Sequence, residues 1–211
     1  MDPSRIAQLL RPLTSEEELP PTLLEHLRLY LELLLKWNAR VNLTAIRDPE
    51  QIVARHFGES LFAARLLFPQ PPDTEGLTLA DVGSGAGFPG IPIKLWASRI
   101  ELTLIESQNK KATFLREVLR TLELGRVEVI GGRAEQWEHT ADTITLRAVE
   151  KFDRSLQIAA GLVKPGGRLC LLIGANQLQP AQELLGQEWS WDEAHPMPQS
   201  TERVVGIAHR A

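Results

Sequence analysis

Leu79-Ala80-Asp81-Val82-Gly83-Ser84-Gly85-Ala86-Gly87-Phe88-Pro89-Gly90 is the stretch that decides the fold. Its first residues continue an apolar run from residue 77 and read as a strand over 77–82. Three glycines at alternate positions follow, and Pro89 opens a helix predicted to reach residue 97. Glycines at the carboxyl end of a strand let the chain turn tightly and let a ligand approach the backbone, while the next helix offers free N–H groups. A nucleotide-like ligand belongs there. Glu106 closes the next predicted strand, residues 101–106, and stands 21 residues after Gly85. A carboxylate at that place can accept both hydroxyls of an adenosine ribose.

Outward from this turn, short apolar runs alternate with amphipathic stretches. Strands are predicted at 126–130, 143–146, 168–173 and 203–208, and helices at 109–124, 152–163 and 178–186, with Lys164-Pro165-Gly166-Gly167 as a turn. That alternation predicts βαβ units and a mainly parallel sheet. On the other side, Pro69-Gln70-Pro71-Pro72-Asp73-Thr74-Glu75-Gly76 has no periodicity and reads as a connection. It divides a helical extension, residues 1–70, from an α/β domain, residues 71–211. Within the extension, Thr22 and Glu25 have capping-box spacing before a helix over 22–37. Asp48-Pro49-Glu50-Gln51 starts a second helix over 49–67.

The chain has 211 residues, 43% hydrophobic and 24% charged, enough for one substantial core with an appendage. No apolar run is long enough to span a membrane, and Met1-Asp2-Pro3-Ser4-Arg5 lacks the layout of a signal peptide, so a cytoplasmic monomer with no membrane partner is expected. Cys170 is the single cysteine, which excludes an internal disulfide and cysteine-clustered metal sites. It sits in an apolar strand and reads as core, and no metal site is expected. The net charge of −4 argues mildly against nucleic acid, although residues 108–168 are net basic and 169–211 net acidic.

Gly85-Ala86-Gly87-Phe88-Pro89-Gly90 satisfies G-x-G-x-x-G, so an NAD-dependent oxidoreductase must be weighed, as must a non-catalytic nucleotide-binding regulator. Asp81 is unwelcome beside a pyrophosphate but welcome near the ammonium and sulfonium of S-adenosylmethionine. The one tyrosine, Tyr30, lies in the helical extension, and no second substrate-sized domain follows. No Gly-Lys-Ser/Thr phosphate loop is present either.

The acid, the Gly-x-Gly-x-Gly and the acid ending the second strand resemble class I S-adenosylmethionine-dependent methyltransferases. More narrowly, Trp37-Asn38 with Val41-Asn42-Leu43-Thr44, the run from Asp81 to Pro92, Lys110-Lys111 with Phe114-Leu115, Arg133-Ala134-Glu135 and Arg147-Ala148 resemble the small-subunit ribosomal RNA methyltransferase G family, also called glucose-inhibited division protein B. The resemblance covers about residues 20–174. It implies a Rossmann-like α/β fold with a mainly parallel seven-stranded sheet, its last strand antiparallel. It also implies methyl transfer from S-adenosylmethionine, leaving S-adenosylhomocysteine, to N7 of one guanine in a conserved loop of 16S rRNA, presented as RNA or small subunit. By the same resemblance Gly83, Phe88, Ala134, Glu135 and Arg147 fall on cofactor-contacting positions. Asp81, Ser84, Gly85, Gly87 and Glu106 join them from the reading of the turn. Family members usually carry a small hydroxyl residue before the Arg-Ala pair, where this chain has Leu146.

The residues that are absent fit N7 chemistry. No Asn/Asp-Pro-Pro-aromatic loop for exocyclic amines follows the fourth strand, where Leu146-Arg147-Ala148-Val149 stands, and Cys170 is no nucleophile for pyrimidine C5. Guanine N7 carries a free lone pair, so attack needs no base and catalysis can be mainly positioning. Arg and Lys donors suit the O6/N7 edge, which makes Arg147, Arg133, Lys110, Lys111 and Lys164 the candidates, with Arg147 the catalytic one. Asn38 and Asn42 either cap the helix end or touch RNA. Trp37 reads as core and His56 as structural.

Overall fold

The computed structural model describes residues 1–14, 18–70, 73–149 and 151–211. The expected connection at Pro71-Pro72 therefore lies outside the described residues. Strands β1 (Thr78–Val82), β2 (Glu101–Ile105), β3 (Val127–Ile130), β4 (Ala141–Arg147) and β5 (Val163–Gly174) pair in parallel, in the order β3-β2-β1-β4-β5. Strand β8 (Arg203–Arg210) runs antiparallel beside β5. Its outer edge takes two short strands, β6 (Trp189–Trp191) and β7 (His195–Pro196), which bring the sheet to eight. Segments of three and two residues are too short for a period-two pattern to show, and only β8 organises them.

Alternation along the strands divides the core between the two faces of the sheet. Ala80, Val82, Leu169, Leu171 and Ile173 go to one face, where Leu156 and Ala159 of α7 (Phe152–Gly161) and Ala181 of α8 (Leu178–Leu185) cover them. Leu79, Leu102, Leu104, Cys170 and Leu172 go to the other, under α5 (Gly90–Trp96) and α6 (Asn109–Thr121). Cys170 is fully buried, and burial pushes its thiol up to about 12, so it is core as expected. Lys164-Pro165-Gly166-Gly167 lies within the extent of β5 as an irregularity: Val163 pairs with Ala141, but the next partner, of Thr143, is Arg168.

The amino-terminal helices join the second face. Asp2 caps α1 (Pro3–Leu10), accepting from Arg5 N–H at 3.0 Å. Helix α2 (Pro21–Asn38) buries Leu23, Leu27, Tyr30, Leu31 and Leu34 along one stripe. The capping box expected at Thr22 and Glu25 does not form. The helix begins one residue earlier with Pro in its first turn, and Glu25 pairs with Arg28 instead. Asp48 does cap α3 (Pro49–Ile52), accepting from Gln51 N–H at 2.8 Å, and the run continues through a π turn (Val53–Gly58) into α4 (Glu59–Leu67).

These helices share one core cluster with Ile91, Phe114 and Leu115 of the sheet's helical layer and Leu104 of β2. Tyr30 anchors the contact. Its ring stacks on Phe88 at 5.4 Å and 15°, and its hydroxyl donates to the carbonyl of Ala86 inside the glycine turn. Polar bonds close the periphery: Trp37 Nε1 to Glu117 at 3.0 Å, Trp96 Nε1 to the Phe68 carbonyl at 2.9 Å, and Arg168 Nη2 to the Leu67 carbonyl at 2.7 Å.

A side chain at Gly87 would collide with this arrangement, because its Cβ would lie 2.4 Å from the Tyr30 hydroxyl and 2.6 Å from Ile91, at a φ of +91°. Gly87→Ala should therefore lower stability by on the order of 2–3 kcal/mol, the cost of overpacking plus a left-handed backbone. Gly161→Ala, at the end of α7 with nothing within 4 Å, should be neutral or stabilising. Thermal denaturation of the two variants checks the contrast, and equal melting temperatures would refute it.

Candidate active site

The turn after β1 is built almost entirely from backbone. Gly83 and Gly85 adopt φ of +71° and +57°, which L side chains rarely tolerate. Gly83 and Ser84 donate their N–H groups to the Ile105 carbonyl at 2.9 and 3.1 Å, and Ser84 Oγ donates to the Asp81 carbonyl at 2.8 Å. Glu106, just past β2, accepts from Gly85 N–H through Oε2 at 2.9 Å and from Gln108 N–H through Oε1 at 2.7 Å. A carboxylate has about four acceptor positions, so each oxygen keeps one for a ligand hydroxyl.

A cavity of about 490 Å³ opens over this turn at the carboxyl edge of the sheet. Gly83, Ser84, Gly85, Phe88, Glu106 and Lys111 line it from the α/β domain, and Leu43, Thr44 and His56 line it from the extension. Arg147 and Ala148 close it at the end of β4, Ala148 holding a left-handed φ of +48°. An adjoining recess of about 340 Å³ shares Gly83, Ser107 and Val149 with it and adds Arg133, Ala134 and Glu135, the last paired with Arg154 at 2.9 Å. Lys110 and Asn42 are exposed nearby in sequence.

Four expected site residues lie elsewhere. Asp81 is 1% exposed and does not line the cavity: Oδ1 accepts from Thr145 Oγ1 at 2.7 Å and Oδ2 from Gly90 N–H at 3.2 Å. Burial pushes its carboxyl up to about 6 against those bonds. Strand alternation explains the correction, since Asp81 falls on the face opposite Ala80 and Val82, beneath α5. Gly87 also does not line the cavity; its missing side chain makes room for Tyr30 and Ile91. Lys164 stands at the opposite, amino-terminal end of the strands, bonded to Asp142 at 3.0 Å and to Thr78 Oγ1 at 3.2 Å. Asn38 is a cap: its side chain accepts from the N–H of Leu43 and Thr44 and donates to the Thr44 carbonyl. Leu146 is buried in the core, so position 146 presents no side chain to the cavity.

The same contacts remove the ground for a dinucleotide fingerprint. A Cβ at Gly90 would meet Leu104 at 2.7 Å and Asp81 at 2.9 Å, and one at Gly87 would meet Tyr30. Two of the three glycines in that pattern are small because protein atoms approach them.

Two further residues matter here: His56 lines the cavity, and Glu59 lies behind Arg147, lining a separate recess with Arg55 and Arg203. His56 lies 2.7 Å from Thr44 Oγ1 and stacks on Phe88 at 4.8 Å. Burial, reinforced by Arg147, Arg55 and Arg203, holds its imidazole down at about 3. Glu59, at the start of α4, takes the Arg147 guanidinium at 2.9 Å and the Arg203 guanidinium at 2.8 Å. A single acid between Phe57 and Leu61-Phe62 on a predicted helix was the available signal for Glu59.

The family described as rRNA small subunit methyltransferase G matches residues 23–201 of this chain. Ribosomal RNA small subunit methyltransferase G of Xanthomonas euvesicatoria pv. vesicatoria is 41% identical over 172 residues, 80% of this chain and 76% of that protein. The protein of the same name from Stenotrophomonas maltophilia strain K279a is 35% identical over 209 residues, 98% and 94% of the two chains. Among solved structures, magnesium protoporphyrin IX methyltransferase from Synechocystis, with bound SAM, has the same fold at a TM-score of 0.66 and 14% identity, covering 86% of this chain and 97% of its own. An S-adenosylmethionine-dependent methyltransferase from Aquifex aeolicus superposes at 0.59 with 17% identity, covering 78% and 94%. With a sheet of this order, a glycine turn at its carboxyl edge and relatives of this identity along most of its length, the chain belongs to the rRNA small subunit methyltransferase G family.

Proposed function

We propose that the chain transfers a methyl group from S-adenosylmethionine to N7 of one guanine of 16S rRNA, in the RNA or in the small subunit, and that it works as a cytoplasmic monomer. In this reading residues 71–211 carry the transferase and residues 1–70 form part of the substrate wall. The observation that carries it is the cavity itself, with backbone turned out by two left-handed glycines on one side, spare acceptor positions of Glu106 on another and a guanidinium at its end. When bound, the cofactor supplies an electrophilic methyl on a sulfonium.

The residues fit that group. Gly85 leaves the backbone open to a close approach, Gly83 turns it beneath Val149, 3.2 Å from where its Cβ would lie, Glu106 has acceptors for ribose hydroxyls, and Ala134 and Glu135 border the adjoining recess. Arg147 engages Glu59 and the Arg55 carbonyl through Nη2, which leaves further N–H donors for the guanine edge. Lys110, Lys111, Arg133 and Asn42 are the candidates for the RNA around the mouth. N7 has no proton to lose, and His56, held neutral, offers no base of near-neutral pKa, so binding and positioning must supply the catalysis.

Gly85→Val tests the cofactor assignment. The obstacle is conformational, because the Cβ itself would approach only the Gly83 carbonyl, at 3.8 Å, whereas a β-branched residue resists a φ of +57°. Titration calorimetry with S-adenosylhomocysteine should show at least about a tenfold loss of affinity, with thermal denaturation confirming that the variant is folded. Undiminished affinity would remove the glycine turn from the binding site.

Single-turnover methylation of 16S rRNA or small subunits, with the product base identified by mass spectrometry, tests the reaction. We expect 7-methylguanine, no rise in rate between about pH 6.5 and 9, a severe loss in Arg147→Ala and partial recovery in Arg147→Lys, which keeps the charge but not the planar donor pair. Another methylated base, or full activity in Arg147→Ala, would overturn the mechanism.

His56 carries its own pH signature. Its folded pKa lies below the unfolded value, so the unfolded chain binds the extra proton first, and this contribution to stability is lost as pH falls from about 6.5 toward 3. His56→Gln should therefore lose less melting temperature than the parent between pH 7 and pH 4.5. Equal losses would show that the imidazole is not held neutral by its surroundings.

A further inference from the structure

Glu59 is 3% exposed and meets three guanidinium groups: Arg147 at 2.9 Å, Arg203 at 2.8 Å and, at the 4.0 Å limit, Arg55. They come from three separated parts of the chain. Glu59 opens α4 in the helical extension, Arg147 ends β4 over the cavity, and Arg203 begins β8. Arg55 adds a backbone contact, its carbonyl accepting from Arg147 Nη2 at 3.0 Å.

The hydrogen bonds recorded for the Arg147 side chain both run to this helical segment, one to the Arg55 carbonyl and one to Glu59. A long arginine without such acceptors samples many rotamers, and three guanidiniums gathered without a carboxylate repel one another. One carboxylate therefore does two jobs. It lets the cations stand together, and it aims the Arg147 guanidinium. Arg203 approaches the other oxygen, Oε1, as a charge contact at 2.8 Å that makes no hydrogen bond, and Oε2 is left to Arg147.

We infer that Glu59 is a positioning residue for methyl transfer: it acts through Arg147, holding that guanidinium at the cavity in the orientation the reaction requires. The inference rests on the methyl-transfer reading of the cavity. It assigns to the helical extension a part in the chemical step besides its part in packing.

The test uses the full chain and small subunits, with single-turnover rates at saturating cofactor and RNA. Glu59→Gln keeps the shape and removes the charge; its rate should fall about tenfold or more, while S-adenosylhomocysteine affinity stays within about twofold. Glu59→Asp should give an intermediate rate. The charge-balanced pair Glu59→Gln with Arg203→Gln separates anchoring from structure, since one positive and one negative charge leave together. Its melting temperature should return toward the parent value, yet its rate should remain low because Arg147 still lacks its carboxylate partner, a neutral amide holding the guanidinium less firmly. A rate that recovers together with the melting temperature would reduce Glu59 to a structural ion partner, and an unimpaired Glu59→Gln would dispose of the inference outright. A parent protein that leaves the rRNA unmethylated would instead refute the functional reading, which separates the two failures.

Discussion

The phenol of Tyr30 occupies the space that a side chain at position 87 would need, and the rest of the site depends on that contact. Tyr30 reaches it from a fully buried position on the apolar stripe of α2, so the packing that docks the extension also fixes the glycine turn. The hydroxyl bonds the Ala86 carbonyl, and the ring stacks on Phe88, which carries His56 on the cavity wall. Loss of the extension would remove Tyr30, Thr44, His56 and Glu59 at once. The turn, the wall and the anchor of Arg147 are therefore one mechanical unit spread over two parts of the chain.

Two buried acids show how environment divides labour among like groups. Asp81 meets neutral donors, Thr145 and Gly90, and burial raises its carboxyl to about 6. Glu59 meets guanidiniums. The first fastens the glycine turn to β4 and α5 from beneath, a role that neutral donors can support. The second sits where cations must be gathered, which only a charge can do.

The sheet was legible because alternating apolar runs and glycine turns are local signals, and so was the carboxylate of Glu106 just past β2. What misled was any residue whose partner is remote. Asp81 read as a cofactor contact until alternation along β1 put it under α5. Gly87 fitted a ligand-binding fingerprint, but its neighbour is a tyrosine 57 positions earlier in the chain. Lys164 read as a donor for the guanine edge, although it pairs with Asp142 at the far end of the strands. Asn38 fits either a cap or an RNA contact by sequence, and its three bonds to residues 43 and 44 make it the cap. Strands β6 and β7 carry no pattern of their own. Glu59 and Arg203 are 144 positions apart, and nothing local links them.

A net charge of −4 weighed against an RNA partner on composition alone. Total charge governs the field far from a protein, whereas a polyanion at a few ångströms meets individual side chains, and salt screens charges beyond about 8–10 Å. Gathering Arg55, Arg147 and Arg203 beside one cavity has its own limit, because each added cation raises the cost of the next. The His56 imidazole is held down at about 3 mainly by burial, with the three guanidiniums adding to it. The carboxylate of Glu59 offsets part of the repulsion among the three guanidiniums. An acidic chain can in this way concentrate positive charge locally without becoming basic as a whole.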